Sequence, residues 1–257
     1  MSRELFQSNN YRLDLDHYMQ AGEDRIDLSQ FPWGEVREHE LSERTARILR
    51  YMMDIESYTP IFKRDLLATQ AAYDPRISAF LSKWEYQEYW HGEAFSRLLG
   101  EAGYKMEPDA EGVKGNSPYP TRVGRNEWIR RQVGRKGLIS HFGTLVGSAL
   151  YGEDFPAVHM AWGAVNELST LTAYSILIEE NEHSFLNKLL QRIIKDERVH
   201  FAFYRYQARE RLKKSKRARR ITRWALEHLW APVGTGVRPQ KETDFVVTEL
   251  FGKGKGL

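Results

Sequence analysis

Apolar residues along this chain recur at intervals of three and four far more often than at two, a rhythm that predicts helices and almost no strand. The clearest helix is expected to open at Asp74-Pro75, an N-cap followed by proline in the first turn, and to run to about Gly103. Its stripe reads Ile77, Phe80 or Leu81, Trp84, then Glu88 and His91, then Phe95 and Leu98. Two polar residues therefore stand where the apolar face should continue. A segment from about Ser184 to Leu212 makes the same substitution: Leu186, Leu190 and Ile193 are followed by Glu197 and His200, then Tyr204.

Two further stripes each carry one carboxylate. A helix expected from about Asp154, with Pro156 just inside it, presents Met160, Ala164, Glu167, Leu171, Tyr174 and Ile178. The first long helix, about Leu41 to Gln70, presents Leu49, Met52, Glu56, Thr59, Phe62 and Leu66, with a kink expected at Pro60. Further helices are expected over roughly Arg125 to Leu150 and Lys214 to Trp230. Gly and Pro crowd together between Gly103 and Gly124, marking a long connection, and again between Pro232 and Pro239. The expected organisation is an N-terminal extension over 1–40, a helical bundle over 41–230 with a crossover near 103–124, and a C-terminal tail over 231–257.

Burying an ionised carboxylate is costly unless it is paired or bound to a cation, and here four helices are each expected to bury one. Glu56, Glu88 with His91, Glu167, and Glu197 with His200 form the order single, pair, single, pair. That is the ligand set of helical bundles that hold two metal ions, a Glu from each of two helices and a Glu-x-x-His from each of the other two. Spacing of three puts a Glu and a His on one face a turn apart, so that the Glu can bridge two ions while the His caps one. Four carboxylates and two neutral imidazoles bring four negative charges, which two divalent ions neutralise. A third Glu-x-x-His, Glu180 to His183, falls at an expected turn outside the stripes and reads as polar residues on the surface. Asp54 is a rival to Glu56, which the register favours.

Composition narrows the metal. The 257 residues contain no Cys, so thiolate sites and disulfides are excluded and any metal must be held by His, Glu and Asp. That donor set suits iron or manganese better than structural zinc, and calcium would take oxygen ligands alone. Hydrophobic residues at 41% and charged residues at 28% are ordinary globular values. No apolar run reaches the roughly 18 residues of a membrane span, and residues 1–10 lack a signal-peptide core, so a cytoplasmic protein is expected. Net charge is only +3, but Arg205 to Arg223 holds ten Lys or Arg against Glu210, and Arg122 to Lys136 holds six against Glu127. Solvated helix faces account for both, and an acidic partner is the functional alternative. No nucleic-acid-binding module is recognisable.

Three stretches carry a resemblance. Trp84-Glu85-Tyr86-Gln87-Glu88-Tyr89-Trp90-His91-Gly92 resembles the W-x-x-E-E-x-x-H-G motif of the soluble acyl-acyl-carrier-protein desaturases, with Gln87 in place of the first Glu of the doublet. Asp196 to His200 resembles the D-E-x-R-H motif of that family, with Val199 where Arg is frequent, and Glu167 to Thr170 resembles its third-helix Glu with a Thr one turn on. The resemblance spans about Leu41 to Leu212 and lies in these motifs. It departs in the longer interval between Glu88 and Glu167 and in the lack of an obvious family N-terminal segment, which leaves the substrate open.

The resemblance implies an all-α, ferritin-like four-helix bundle with additional peripheral helices. It implies two iron ions, or a manganese and iron pair, at Glu56, Glu88, His91, Glu167, Glu197 and His200. Thr170 would face the oxygen-binding side, and Asp196 would orient a ligand His. In that family a reduced di-iron pair activates oxygen and removes two hydrogens from a long acyl chain, with electrons from ferredoxin. The implied partners are therefore an acyl or similarly elongated apolar substrate, an acidic acyl carrier protein that would suit one of the basic segments, and a ferredoxin-like donor, with a homodimer as the expected assembly. Two alternatives use the same residues: hydroxylation or N-oxygenation in a specialised pathway, and iron oxidation and storage in a ferritin-like cage.

Overall fold

A computed structural model describes residues 25–104, 138–235 and 238–252 of the chain. The basic segment 122–136, most of the expected crossover and residues 1–24 lie outside the described residues. The architecture is an all-α helical bundle. Helices α1 (Glu43–Glu56), α2 (Pro60–Leu67), α3 (Pro75–Glu101), α4 (Leu138–Tyr151), α5 (Pro156–Glu180), α6 (Ser184–Lys214), α7 (Lys216–His228) and α8 (Gln240–Phe251) follow in that order. Among the described residues no helix is long and apolar enough to cross a membrane.

Local chemistry explains the helix ends. The Asp74 side chain accepts from the backbone N–H groups of Arg76 and Ile77, and Pro75 occupies the first turn, where its missing N–H costs nothing. Ser42 and Ser215 cap α1 and α7 in the same way. Between α1 and α2 the expected kink is a full break across Ser57–Thr59. Pro60 lacks the N–H that would bond the Glu56 carbonyl four residues back, and the Thr59 hydroxyl donates to that carbonyl instead, at 3.2 Å.

Helix α1 pairs with α3, and α5 with α6. Two apolar layers lie along the bundle with a polar layer between them. One contains Leu49, Phe95, Leu98, Tyr174, Leu177, Leu186, Leu190 and Ile193. The other contains Ile77, Phe80, Leu81, Trp84, Met160, Phe203 and Tyr204, with the rings of Phe80 and Phe203 stacked at 3.5 Å. Helices α3 and α5 both run from the second layer to the first, and α6 runs the opposite way. Helices α3 and α5 therefore point in the same direction, so they are not consecutive antiparallel neighbours of the bundle.

The segments on either side of the bundle also contribute to packing. Ile26, Leu28, Trp33 and Val36 are buried against the first layer, and the Trp33 indole donates to the Leu28 carbonyl at 2.7 Å. Residues read as a C-terminal tail form α8, which adds Val246 and Leu250 to the same layer. Arg44 and Arg47 of α1 pair with Glu249 and Glu242 of α8, and the Tyr51 hydroxyl donates to the Val233 carbonyl at 2.6 Å.

Candidate metal centre

Between the two apolar layers, Glu56, Glu88, His91, Glu167, Glu197 and His200 are all buried and converge from α1, α3, α5 and α6. They form two overlapping groups. Glu56, Glu88, His91 and Glu197 each offer a ligand atom within 4.8 Å of the others, and so do Glu88, Glu167, Glu197 and His200. Glu88 and Glu197 belong to both groups, so two ions held here would share these two carboxylates. Close approach of the helices makes this possible. A Cβ on Gly92, the residue after His91, would sit 2.5 Å from Ser57 Oγ at the end of α1, and one on Gly163, a turn before Glu167, would sit 2.5 Å from the Tyr204 ring of α6.

Both imidazoles turn the same nitrogen inward. His91 Nδ1 lies 3.2 Å from Glu88 and 3.1 Å from Glu197, while His200 Nδ1 lies 3.0 Å from Glu88 and 3.4 Å from Glu197. The outward nitrogens meet partners on other helices: Asp196 at 3.2 Å from His91 Nε2, and Gln87 at 3.0 Å from His200 Nε2. Asp196 is in turn paired with Arg192 at 2.8 Å. Two carboxylates are fixed in a similar way. The Trp84 indole N–H donates to Glu167 Oε1 at 3.0 Å, and the Tyr174 hydroxyl donates to Glu56. Four of the six cluster side chains thus have one outer partner each.

The electrostatics are those of groups compressed out of water. Burial, reinforced by Glu88 and Glu197, pushes Glu56 well above the ordinary carboxylate range, and burial with Glu197 and Glu88 does the same to Glu167. Burial alone would also raise Glu88, but the His200 charge and hydrogen bonds from its neighbours hold it well below that range. Burial opposes protonation of the two imidazoles, yet Asp196, Glu197 and Glu88 raise His91, and Glu88 and Glu197 raise His200 to about 10. Even so, both oxygens of Glu197 and Nδ1 of His200 are fully buried with no hydrogen bond of acceptable geometry. Unsatisfied buried polar atoms demand an explanation, and a coordinated cation supplies one. The donor set, four carboxylates and two imidazoles that all lie in reach, fits such an ion.

Beside the cluster lies a cavity of about 200 Å³, lined by Glu56, Thr170, Tyr174 and Ala173 on the bundle side and by Trp230, Val233, Val247 and Phe251 on the outer side. Thr170 therefore reaches the same space as Glu56, and helix α8 forms part of the wall. Asp54, the rival to Glu56, is paired with Arg238 at 2.9 Å and takes no part. The third Glu-x-x-His stands apart from the cluster, but only its glutamate lies on the surface. Glu180 is exposed and pairs with Arg44, whereas His183 is buried, caps α6 by accepting from the Leu186 N–H, and turns Nε2 towards the Val36 carbonyl. A histidine can serve as an N-cap acceptor, which a search for metal-ligand spacing overlooks.

From the sequence, Trp84 and Tyr174 read only as apolar stripe residues and Gln87 only as a departure from a motif. The available signal was that a buried indole or phenol needs a partner for its polar end, and both sit on the stripe that carries a carboxylate. Comparison with known proteins adds no assignment: no family model, no curated protein and no solved structure matches the chain.

Proposed function

We propose that the chain is an oxygen-dependent oxidase with two metal ions, iron or manganese and iron, resembling the soluble acyl-acyl-carrier-protein desaturases. The observation that carries this reading is the pair of four-ligand groups sharing Glu88 and Glu197, with the Glu197 oxygens otherwise unsatisfied. Two redox-active ions in this place supply electrons and Lewis acidity for the reduction of oxygen. The side chains do the rest. Asp196 and Gln87 hold the imidazoles so that Nδ1 faces inward, Trp84 and Tyr174 restrain the terminal carboxylates, and the apolar layers on both sides exclude water.

The cavity supports a substrate whose reacting part is uncharged and largely apolar, since Glu56 is the one ionisable carboxylate on a wall of aliphatic, aromatic and hydroxyl side chains. In this reading the Thr170 hydroxyl, which lines the same cavity, would relay protons there. Desaturation is the leading outcome: a substrate CH₂–CH₂ becomes CH=CH, and its two hydrogens, one O₂, two external electrons and two protons leave as two waters. The exposed basic face of α6 and α7, including Arg205, Arg209, Lys213, Arg217 and Arg220, suits an acidic carrier or an acidic electron donor such as a ferredoxin.

The test is to load the purified protein with iron, reduce it anaerobically, admit oxygen in the presence of acyl substrates, free and carrier-bound, and weigh the products. Loss of two hydrogens is the expected result. Gain of oxygen would replace desaturation by hydroxylation or N-oxygenation, and a chain that binds no iron would end the reading altogether.

A further inference from the structure

The two halves of the cluster look alike in their ligands and differ in what stands behind them. Behind His91 is a carboxylate, Asp196, at 3.2 Å, whereas behind His200 is a neutral amide, Gln87, at 3.0 Å. Each imidazole presents Nδ1 to the shared carboxylates Glu88 and Glu197, so each uses its outward N–H to donate to its partner. We propose that the two ion positions are unequal, the Glu56–His91 position binding a divalent ion more tightly than the Glu167–His200 position, because Asp196 and Gln87 make the two imidazoles unequal donors. The inference rests on the two-ion reading above and adds to it an order of loading.

A hydrogen bond from an imidazole to an ionised acceptor is about twice as strong as one to a neutral acceptor, and it pushes electron density onto the opposite nitrogen. His91 is therefore the better donor to a cation. Two effects bear on the contrast. Arg192, 2.8 Å from Asp196, draws some of that density away, but it touches the far side of the carboxylate and Asp196 remains the group in contact with the ring. Glu56 and Glu167 each accept one hydrogen bond from a neutral donor, Tyr174 and Trp84 respectively, so this pair of contacts tends to cancel between the halves. What is left is the contrast between an ionised acceptor, partly compensated by Arg192, and a neutral amide, and that contrast sets the direction. Outer partners of metal-binding histidines typically change affinity by about 10- to 100-fold when altered.

Repulsion between two neighbouring dications splits the binding steps even at a symmetric site, so two steps in the wild-type chain are not diagnostic. Variants that retain a single position are. With manganese(II) as the probe, titration calorimetry and electron paramagnetic resonance should show that the ion kept by His200→Ala is bound at least about tenfold more tightly than the ion kept by His91→Ala. Equal affinities, or the reverse order, would overturn the inference and leave the two-ion reading standing. No bound manganese in the wild-type chain would overturn both.

Ligand changes disturb the core, so milder variants give an independent readout. Asp196→Asn combined with Arg192→Gln keeps the net charge and should weaken the first manganese step about 10- to 100-fold while leaving the second nearly in place. Gln87→Glu should tighten the second step by about tenfold and bring the two together. A double variant that weakens only the second step, or a Gln87→Glu protein with unchanged steps, would refute the assignment.

Discussion

The indole of Trp84 on α3 donates its N–H to Glu167 on α5, at 3.0 Å, across the middle of the bundle. Trp84 also belongs to the apolar layer formed with Phe80 and Tyr204, so a single side chain joins the hydrophobic packing to a carboxylate of the polar layer. Replacing it by Phe retains much of the ring and removes the donor. The expected result is a loss of about 1–3 kcal/mol in stability, measured by denaturant unfolding of the metal-free protein, and metal retention reduced by about tenfold or more in chelator competition.

The cluster membership predicts how many ions each substitution removes. Glu88 and Glu197 stand in both four-ligand groups, while Glu56 and Glu167 stand in one each. Elemental analysis after desalting should therefore show that Glu88→Ala or Glu197→Ala loses both ions and that Glu56→Ala or Glu167→Ala retains one. If Glu197→Ala kept a full complement, Glu197 would not be a shared ligand.

Metal loading should release protons. Glu56 and Glu167 are raised well above 4.5, so among the chain's own groups they favour the neutral acid, and His91 and His200 are raised above 6.5, so they favour the cation. A ligand carboxylate or imidazole must give up that proton before it can coordinate. For every one of these four groups the shift makes deprotonation harder, so the sign is uniform: affinity rises with pH and falls as the solution is acidified. Calorimetric titration in buffers of different ionisation enthalpy should show buffer-dependent heats. Identical heats in all buffers would contradict the assigned directions.

At Gly163 of α5 there is no room for a side chain against α6. A methyl there would lie 2.5–2.9 Å from three atoms of the Tyr204 ring, and that ring packs against Phe80, Trp84 and Phe203. Gly163→Ala should cost about 1–3 kcal/mol by overpacking, in spite of the better helix propensity of alanine, and should lower the melting temperature.

The cavity gives a test of substrate placement that leaves the metal ligands alone. Val247 of α8 lines it and belongs to neither ligand group. Val247→Trp should fill that space, leave iron content unchanged, and lower turnover by about tenfold or more through displaced substrate. Unchanged turnover would move the substrate elsewhere.

Much of the candidate centre is legible in the sequence. Glu88 and His91 interrupt a stripe running from Ile77 to Leu98, and the same interruption by Glu197 and His200 follows Ile193, so the register of each helix points these groups inward. The same rhythm favours Glu56 over Asp54, and in the structure Glu56 joins the cluster while Asp54 pairs with Arg238. The break at Pro60 was readable as a disturbance but not as two helices, because whether a missing hydrogen bond bends or ends a helix depends on whether a side chain such as Thr59 takes over the orphaned carbonyl.

By itself, the order of residues determined the helical class, the four interrupted stripes and the absence of thiolate ligands, since all three follow from periodicity within a single helix or from composition alone. Tertiary structure decided which nitrogen of each histidine faces inward, that Trp84, Tyr174 and Gln87 stand behind the carboxylates and His200, and that α8 walls a cavity beside Glu56. The reason is one of distance along the chain: Trp84 and Glu167 are 83 residues apart, and Gln87 and His200 are 113 apart. No local rhythm relates such pairs, and only the packing of whole helices against one another brings them into contact.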